Sequence, residues 1–208
     1  MKHKTFCLTL MLVLLGLPAL ADHHEKEMAM EEETAMPASG YPGSFVRDFE
    51  RVSGKLLDLA AEIPADKYGW RPTEEVRSVS ESYIHVALAN FFLSSNLGVP
   101  APEGYGPDSE KTITAKDDVI QVLRDSIGHV EQAIRKNAGA DLEEEIDFFG
   151  AKRPKRDALM VISGHSHEHL GQLIAYARSN GVVPPWSQPA EAEDGGGDED
   201  GEDDESEE

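Results

Sequence analysis

The chain has 208 residues, 19 Lys and Arg against 40 Asp and Glu for a formal net charge of -21, and one cysteine. So acidic a chain offers no basic face, which argues against nucleic-acid binding, and one cysteine cannot make a disulfide scaffold. With both acidic ends set aside, roughly 150 residues remain, the size of one domain.

Residues 1–21 have the layout of a secretory signal peptide: Lys2 and Lys4, an apolar run from Phe6 to Leu17, then the small-residue site Ala19-Leu20-Ala21. The run is short for a membrane span and no second one follows, so an exported protein is expected, periplasmic or secreted, with no membrane span. Cys7 lies inside this peptide without a lipoprotein-type sequence, so no lipid anchor is expected and the mature chain has no thiol. Residues 22–41 form an acidic flexible segment. Residues 188–208 form a tail of Asp, Glu, Gly and Ser, too polar to bury a core and expected to be disordered. It reads as solubilising, with weak Ca²⁺ binding or a basic partner as the alternative.

Residues 42–187 are expected to form the folded domain, an all-α four-helix bundle. The first predicted helix opens after Pro42-Gly43 with Ser44 as N-cap. It carries Phe45, Phe49, Val52, Leu56, Leu59 and Ile63 at steps of four and three, a bundle seam that Pro64 stops. A linker with Trp70-Arg71-Pro72 leads to the second, where Ser78 and Glu81 spell a capping box. It runs through Ile84, His85, Leu88 and Phe92 to about Leu97, ended by Gly98 and Pro100. The connection from Val99 to Ile113 is Pro- and Gly-rich and suits a crossover between parallel helices. The third helix starts near Thr114 with Val119, Leu123, Ile127, Val130 and Ile134, and an acidic loop over Asp141–Phe149 follows. The fourth runs from about Lys155 to Ser179, with Asn180-Gly181 as its stop. The pattern shows no convincing strand.

The chemistry concentrates in His165-Ser-His-Glu-His169. Residues four apart lie on one helix face with Cβ atoms about 5–6 Å apart, and His165 and His169 share the apolar stripe of Ala158, Ile162, Leu173 and Tyr176. Buried imidazoles need partners, and bundle cores are where facing helices assemble metal sites. His85, on the second helix, is the candidate third ligand. Three imidazoles leave an open position on a divalent ion; Zn²⁺ and Ni²⁺ both suit such ligands. Core histidines bonded to carboxylates or water are the alternative. Glu81, one turn before His85, and Glu168, beside the pair, are candidates to orient a ligand ring or act as a base, with a surface ion pair as readily assigned to Glu168. His167 points away from the pair and reads as a solvated residue, as does His129. Trp70 and Trp186 read as packing residues, with a substrate pocket as the alternative. The segment also spells His-x-x-Glu-His, a zinc-protease pattern, but no acidic ligand on a further helix follows.

The order of a lone histidine in Tyr83-Ile-His85-Val-Ala-Leu-Ala-Asn90 and then His165-Ser-His-Glu-His169-Leu-Gly171-Gln172 resembles the DinB-like (DinB/YfiT) superfamily. Tyr68-Gly-Trp70-Arg71-Pro72 and Tyr176-Ala-Arg178-Ser-Asn-Gly181 support it. The resemblance covers about Pro42 to Trp186. It implies an up-down-down-up bundle with its long crossover between helices two and three, and one divalent ion on His85, His165 and His169. It also admits a homodimer. Some relatives transfer low-molecular-weight thiols; such thiols are mainly cytoplasmic, so export argues against that reaction here. The expectation is a metal-dependent hydrolase or transferase acting on a small molecule of unknown identity, or else a non-catalytic metal-binding or interaction protein of the cell envelope. Cleavage after Ala21 would also expose Asp22-His23-His24, whose third-position histidine can build a square-planar site for Cu²⁺ or Ni²⁺, with Met28, Met30 and Met36 as soft ligands nearby. A plain polar terminus is the alternative there.

Overall fold

The computed structural model describes residues 35–189. Residues 1–21, expected to be a signal peptide, Asp22-His23-His24, Met28, Met30 and nearly all of the acidic tail lie outside them. The elements in chain order are α1 (Gly40–Glu62), α2 (Val79–Ser95), the short α3 (Ser109–Thr112), α4 (Lys116–Lys136), a hairpin of β1 (Glu145–Phe148) and β2 (Ala151–Pro154), and α5 (Lys155–Ser179). α1 packs against α4 and α5, and α2 packs against the same two. The consecutive long helices α1 and α2 therefore stand diagonally across a shared core.

Phe45, Phe49, Val52, Leu56, Leu59 and Ile63 of α1 are all buried, as are Val119, Leu123, Ile127, Val130 and Ile134 of α4. α1 begins earlier than its composition suggests. Ser39, not Ser44, stands at the N-cap, and Gly43 N–H donates to the Ser39 carbonyl at 3.0 Å. Pro42 is tolerated because the first turn needs no donor from it.

α2 departs most from its expected facing. Tyr83, Ile84, Val86, Ala87 and Phe91 are buried, whereas Phe92 is 52% exposed. Glu81, His85, Leu88 and Phe92 thus form the least buried stripe of α2 rather than its core seam. Its apolar residues fall on every side while Ser80, Ser82, Asn90 and Ser94 are buried, so periodicity gives no signal of which side faces inward. Its start is tightly specified. Ser78 Oγ accepts from Glu81 N–H at 3.2 Å while Glu81 Oε2 accepts from Ser78 N–H at 2.9 Å. Val79 and Ser80 N–H donate to the carbonyls of Trp70 and Tyr68. The first donors of the helix are all satisfied.

The acidic loop is a two-stranded antiparallel hairpin with Glu145 opposite Pro154 and Phe148 opposite Ala151. Its turn places Phe149 at φ 51° and Gly150 at φ 77°, the left-handed pair that a tight hairpin turn needs. Asn-Gly is the usual spelling, which is why Phe-Gly escaped notice. The hairpin also starts α5. With Pro154 as a cap lacking a side-chain bond, Lys155 and Arg156 N–H donate to the carbonyls of Glu144 and Leu142. At its far end Gly181 adopts φ 77°, and Val182 N–H returns to the Ala177 carbonyl.

Asp48 of α1 joins α5: Ser163 Oγ donates to Oδ2 at 2.5 Å, His167 Nε2 lies 3.0 Å from the same oxygen, and Arg51 reaches Oδ1 at 2.6 Å. His167 is therefore a partly exposed residue that also makes an interhelical contact. His129 is likewise partly rather than fully exposed: its Nε2 lies 3.2 Å from the Val99 carbonyl and its ring meets Phe91 edge-on. Trp70 packs edge-on against Tyr176, and Lys55 lies over the Trp186 ring.

Two stability tests follow from these contacts. Ser78→Ala removes half of the capping box and is expected to lower the unfolding free energy by about 1 kcal/mol, read by urea denaturation. Burial alone would push the Asp48 carboxyl up; its hydrogen bonds from Ser163, His167 and Arg51 hold it instead at about 2. A lowered carboxyl stabilises above its unfolded pKa, about 4, and loses that contribution as pH falls toward about 2. Asp48→Asn is expected to flatten that part of the stability profile.

Candidate metal centre

α2 carries His85 and α5 carries His165 and His169. Packing of these two helices brings the rings together, with centroids 5.1 Å apart for His85–His165, 4.9 Å for His85–His169 and 4.5 Å for His165–His169. One nitrogen from each lies within 4.8 Å of the other two, a group able to hold an ion.

Two of the rings are oriented from behind. His85 Nδ1 lies 2.8 Å from Glu110 Oε1. A carboxylate only accepts, so the proton sits on Nδ1 and the Nε2 lone pair is free. His169 Nδ1 lies 2.7 Å from Gln172 Oε1, and the Gln172 amide donates to Tyr176 Oη at 2.8 Å. His165 Nε2 lies 3.2 Å from His85 Nε2, while its buried Nδ1 meets no partner. Either tautomer of His165 leaves a nitrogen unmatched. A proton on Nε2 strands the Nδ1 lone pair; a proton on Nδ1 strands that N–H and sets two lone pairs face to face. A shared cation removes that confrontation, and 3.2 Å is the span of two nitrogens each about 2.0–2.1 Å from one ion. The donor set fits a divalent metal.

The electrostatics suit ligation. Burial, followed by the neighbouring His169, His85 and Arg77, pushes His165 down to about 4. Burial also lowers His169, partly offset by its bond to Gln172. Both rings are neutral near pH 7, as ligands must be.

Glu81 does not reach His85. Its Oε1 accepts from Arg71 at 2.9 Å and its Oε2 caps α2. Glu168 is exposed beside His169. The carboxylate that meets a ring is Glu110, which pattern reading missed. It sits on α3, in a crossover without periodicity, and only tertiary packing brings it to α2. Arg77 holds it through Nε at 2.8 Å and a guanidinium nitrogen at 3.4 Å. Glu110 and Gln172 also form part of the wall of a polar cleft of about 580 Å³, together with Arg71, Arg77 and Lys111.

The sequence model of the DinB superfamily matches residues 48–173, a span that includes the three histidines, Glu110 and Gln172. The chain belongs to the DinB superfamily. A solved DinB-like protein from Bacillus cereus has the same fold at TM-score 0.59, with 17% sequence identity over 68% of this chain and 93% of that one. No curated protein matches the chain. Among the described residues of this DinB protein, no helix is long and apolar enough to cross a membrane.

Because an unfolded histidine takes up its proton near pH 6.5 and folded His165 not until about 4, the unfolded chain binds more protons between these values. The metal-free protein is expected to lose stability as pH falls through that window. His165→Asn should reduce this slope, measured by urea midpoints in the presence of a chelator.

Proposed function

We propose that this protein is an exported, divalent-metal-dependent enzyme of the DinB superfamily, a hydrolase or transferase of a small molecule. His85, His165 and His169 hold one ion, Zn²⁺ or Ni²⁺. The single observation that carries this assignment is the convergence of three imidazoles from two helices, two with their outer nitrogens already engaged by Glu110 and Gln172. A closed structural site would bury all its ligands, whereas the His85 side chain is 27% exposed. That opening favours a working site over a purely structural one.

A bound divalent ion supplies Lewis acidity, to polarise an electrophile or acidify a nucleophile. The chain supplies position and charge. Glu110 and Glu81 each have both oxygens engaged, so neither is free to take a proton. Glu168, exposed beside His169, is the remaining acid–base candidate of the two read from sequence. Arg71 and Arg77 of the cleft are paired with Glu81 and Glu110, which leaves Lys111 as its cationic group for a polar substrate among the described residues. Export rests on the layout of residues 1–21, and a homodimer on the family resemblance. The up-down-down-up path is supported by the side-by-side packing of α2 and α4, joined by a crossover long enough to return to the same end.

Metal analysis of the full chain, purified without a histidine tag, is expected to find about one divalent ion per chain. His165→Ala should lose it. Equal, substoichiometric metal in both proteins would overturn the assignment.

A further inference from the structure

We propose that Glu110 is a positioning residue of the metal centre and that, through it, metal occupancy fastens the crossover between α2 and α4. This rests on the metal reading above and adds a residue and a coupling to it.

The crossover is tied to the bundle at two places. Near its start, the Val99 carbonyl lies against His129 Nε2, Lys136 and Asn137 donate to the Gly98 and Leu97 carbonyls, and Tyr105 stacks on Phe91 with centroids 5.1 Å apart. Near its end, α3 is a single turn. Ser109 is buried and accepts from Gly106 N–H, a bond internal to the segment. Beyond packing, the side-chain hydrogen bonds that join this turn to the start and face of α2 are those of Glu110, with one oxygen on His85 Nδ1 and the other on Arg77. Arg77 immediately precedes the Ser78 cap, so the guanidinium comes from the same rigid start that sets His85 two turns later.

Both carboxylate oxygens are thus committed, and neither faces an incoming proton. The role left to Glu110 is to fix the His85 ring and its tautomer, holding the Nε2 lone pair toward His165. A carboxylate behind a ligand histidine raises ligand basicity, and its loss typically costs 10–100-fold in metal affinity. Gln172 does the same for His169 with a neutral acceptor, so the stronger, charge-assisted bond is the one supplied by the crossover. The linkage is reciprocal: if Glu110 tightens the metal, the metal tightens the hold of His85 on Glu110 and so on α3. A salt bridge serving only to pin a loop would show no such dependence on metal.

The test uses the untagged full chain and Zn²⁺, with affinity measured by competition against a chromogenic chelator. Glu110→Ala is expected to bind Zn²⁺ 10–100-fold more weakly. Glu110→Gln keeps an oxygen acceptor for Nδ1–H and should fall between Glu110→Ala and the parent. In metal-free protein, histidine ¹⁵N shifts should show His85 as the Nδ1–H tautomer in the parent and as a mixture in Glu110→Ala. Hydrogen exchange at the Thr112 and Ile113 amides should slow on adding Zn²⁺ in the parent and not in Glu110→Ala. If the parent binds Zn²⁺ but both variants match its affinity, with the same tautomer and the same Zn²⁺-dependent protection, the role of Glu110 is overturned while the metal centre stands. A parent that binds no Zn²⁺ overturns the metal centre itself; an unchanged His85 tautomer in Glu110→Ala overturns the positioning role without any metal.

Discussion

Three imidazoles drawn together between α2 and α5, largely but not wholly out of water, set the central constraint of this structure. A ring nitrogen taken out of water needs a hydrogen-bond partner or an ion, at a cost of about 1–3 kcal/mol for each group left unmatched. Glu110 and Gln172 meet that demand at the outer nitrogens of His85 and His169. Nothing meets it at His165 Nδ1, while on the other side of that ring Nε2 faces His85 Nε2 at 3.2 Å where the rings converge. Much of the surrounding architecture serves to hold those rings against their own desolvation.

Two helix starts show how. α2 is anchored at its first turn by the Ser78–Glu81 box and by carbonyls of the linker, so His85 projects from a well-fixed segment. α5 has no side-chain cap; the hairpin supplies carbonyls to its first donors instead and fixes where His165 and His169 begin their run. The hairpin holds left-handed geometry at Phe149, an uncommon conformation for an aromatic residue. The exposed Phe149 ring packs against the exposed Phe92 and against Phe148, which is buried.

The neighbouring carboxylates divide by role. Glu81 is consumed by capping and by Arg71, while Glu110 spans Arg77 and His85. Both are held below the usual carboxylate range: burial opposes this, and hydrogen bonds with their basic neighbours and, for Glu81, the Ser78 backbone, outweigh it. The two carboxylates nearest the histidines are therefore spent in ionised pairs, while Glu74 and Glu75 add exposed acids to the cleft wall.

Local pattern was enough for the seams of α1 and α4, the limits of α5, the capping box and the three histidines, because each is written in spacing along one element. The inward face of α2 was not, since its apolar residues fall on every side and small polar residues share its buried face, so no side stands out until neighbours enclose it. The hairpin was hidden by a Phe-Gly turn and by the acidity of its strands. Glu110, lying in the aperiodic crossover, becomes a histidine's partner only because that segment folds back onto α2. The sequence by itself determined which histidines share the faces that can gather; tertiary structure decided that they meet and which carboxylate stands behind His85, because hydrogen-bond partners are chosen by distance in space and not by distance along the chain.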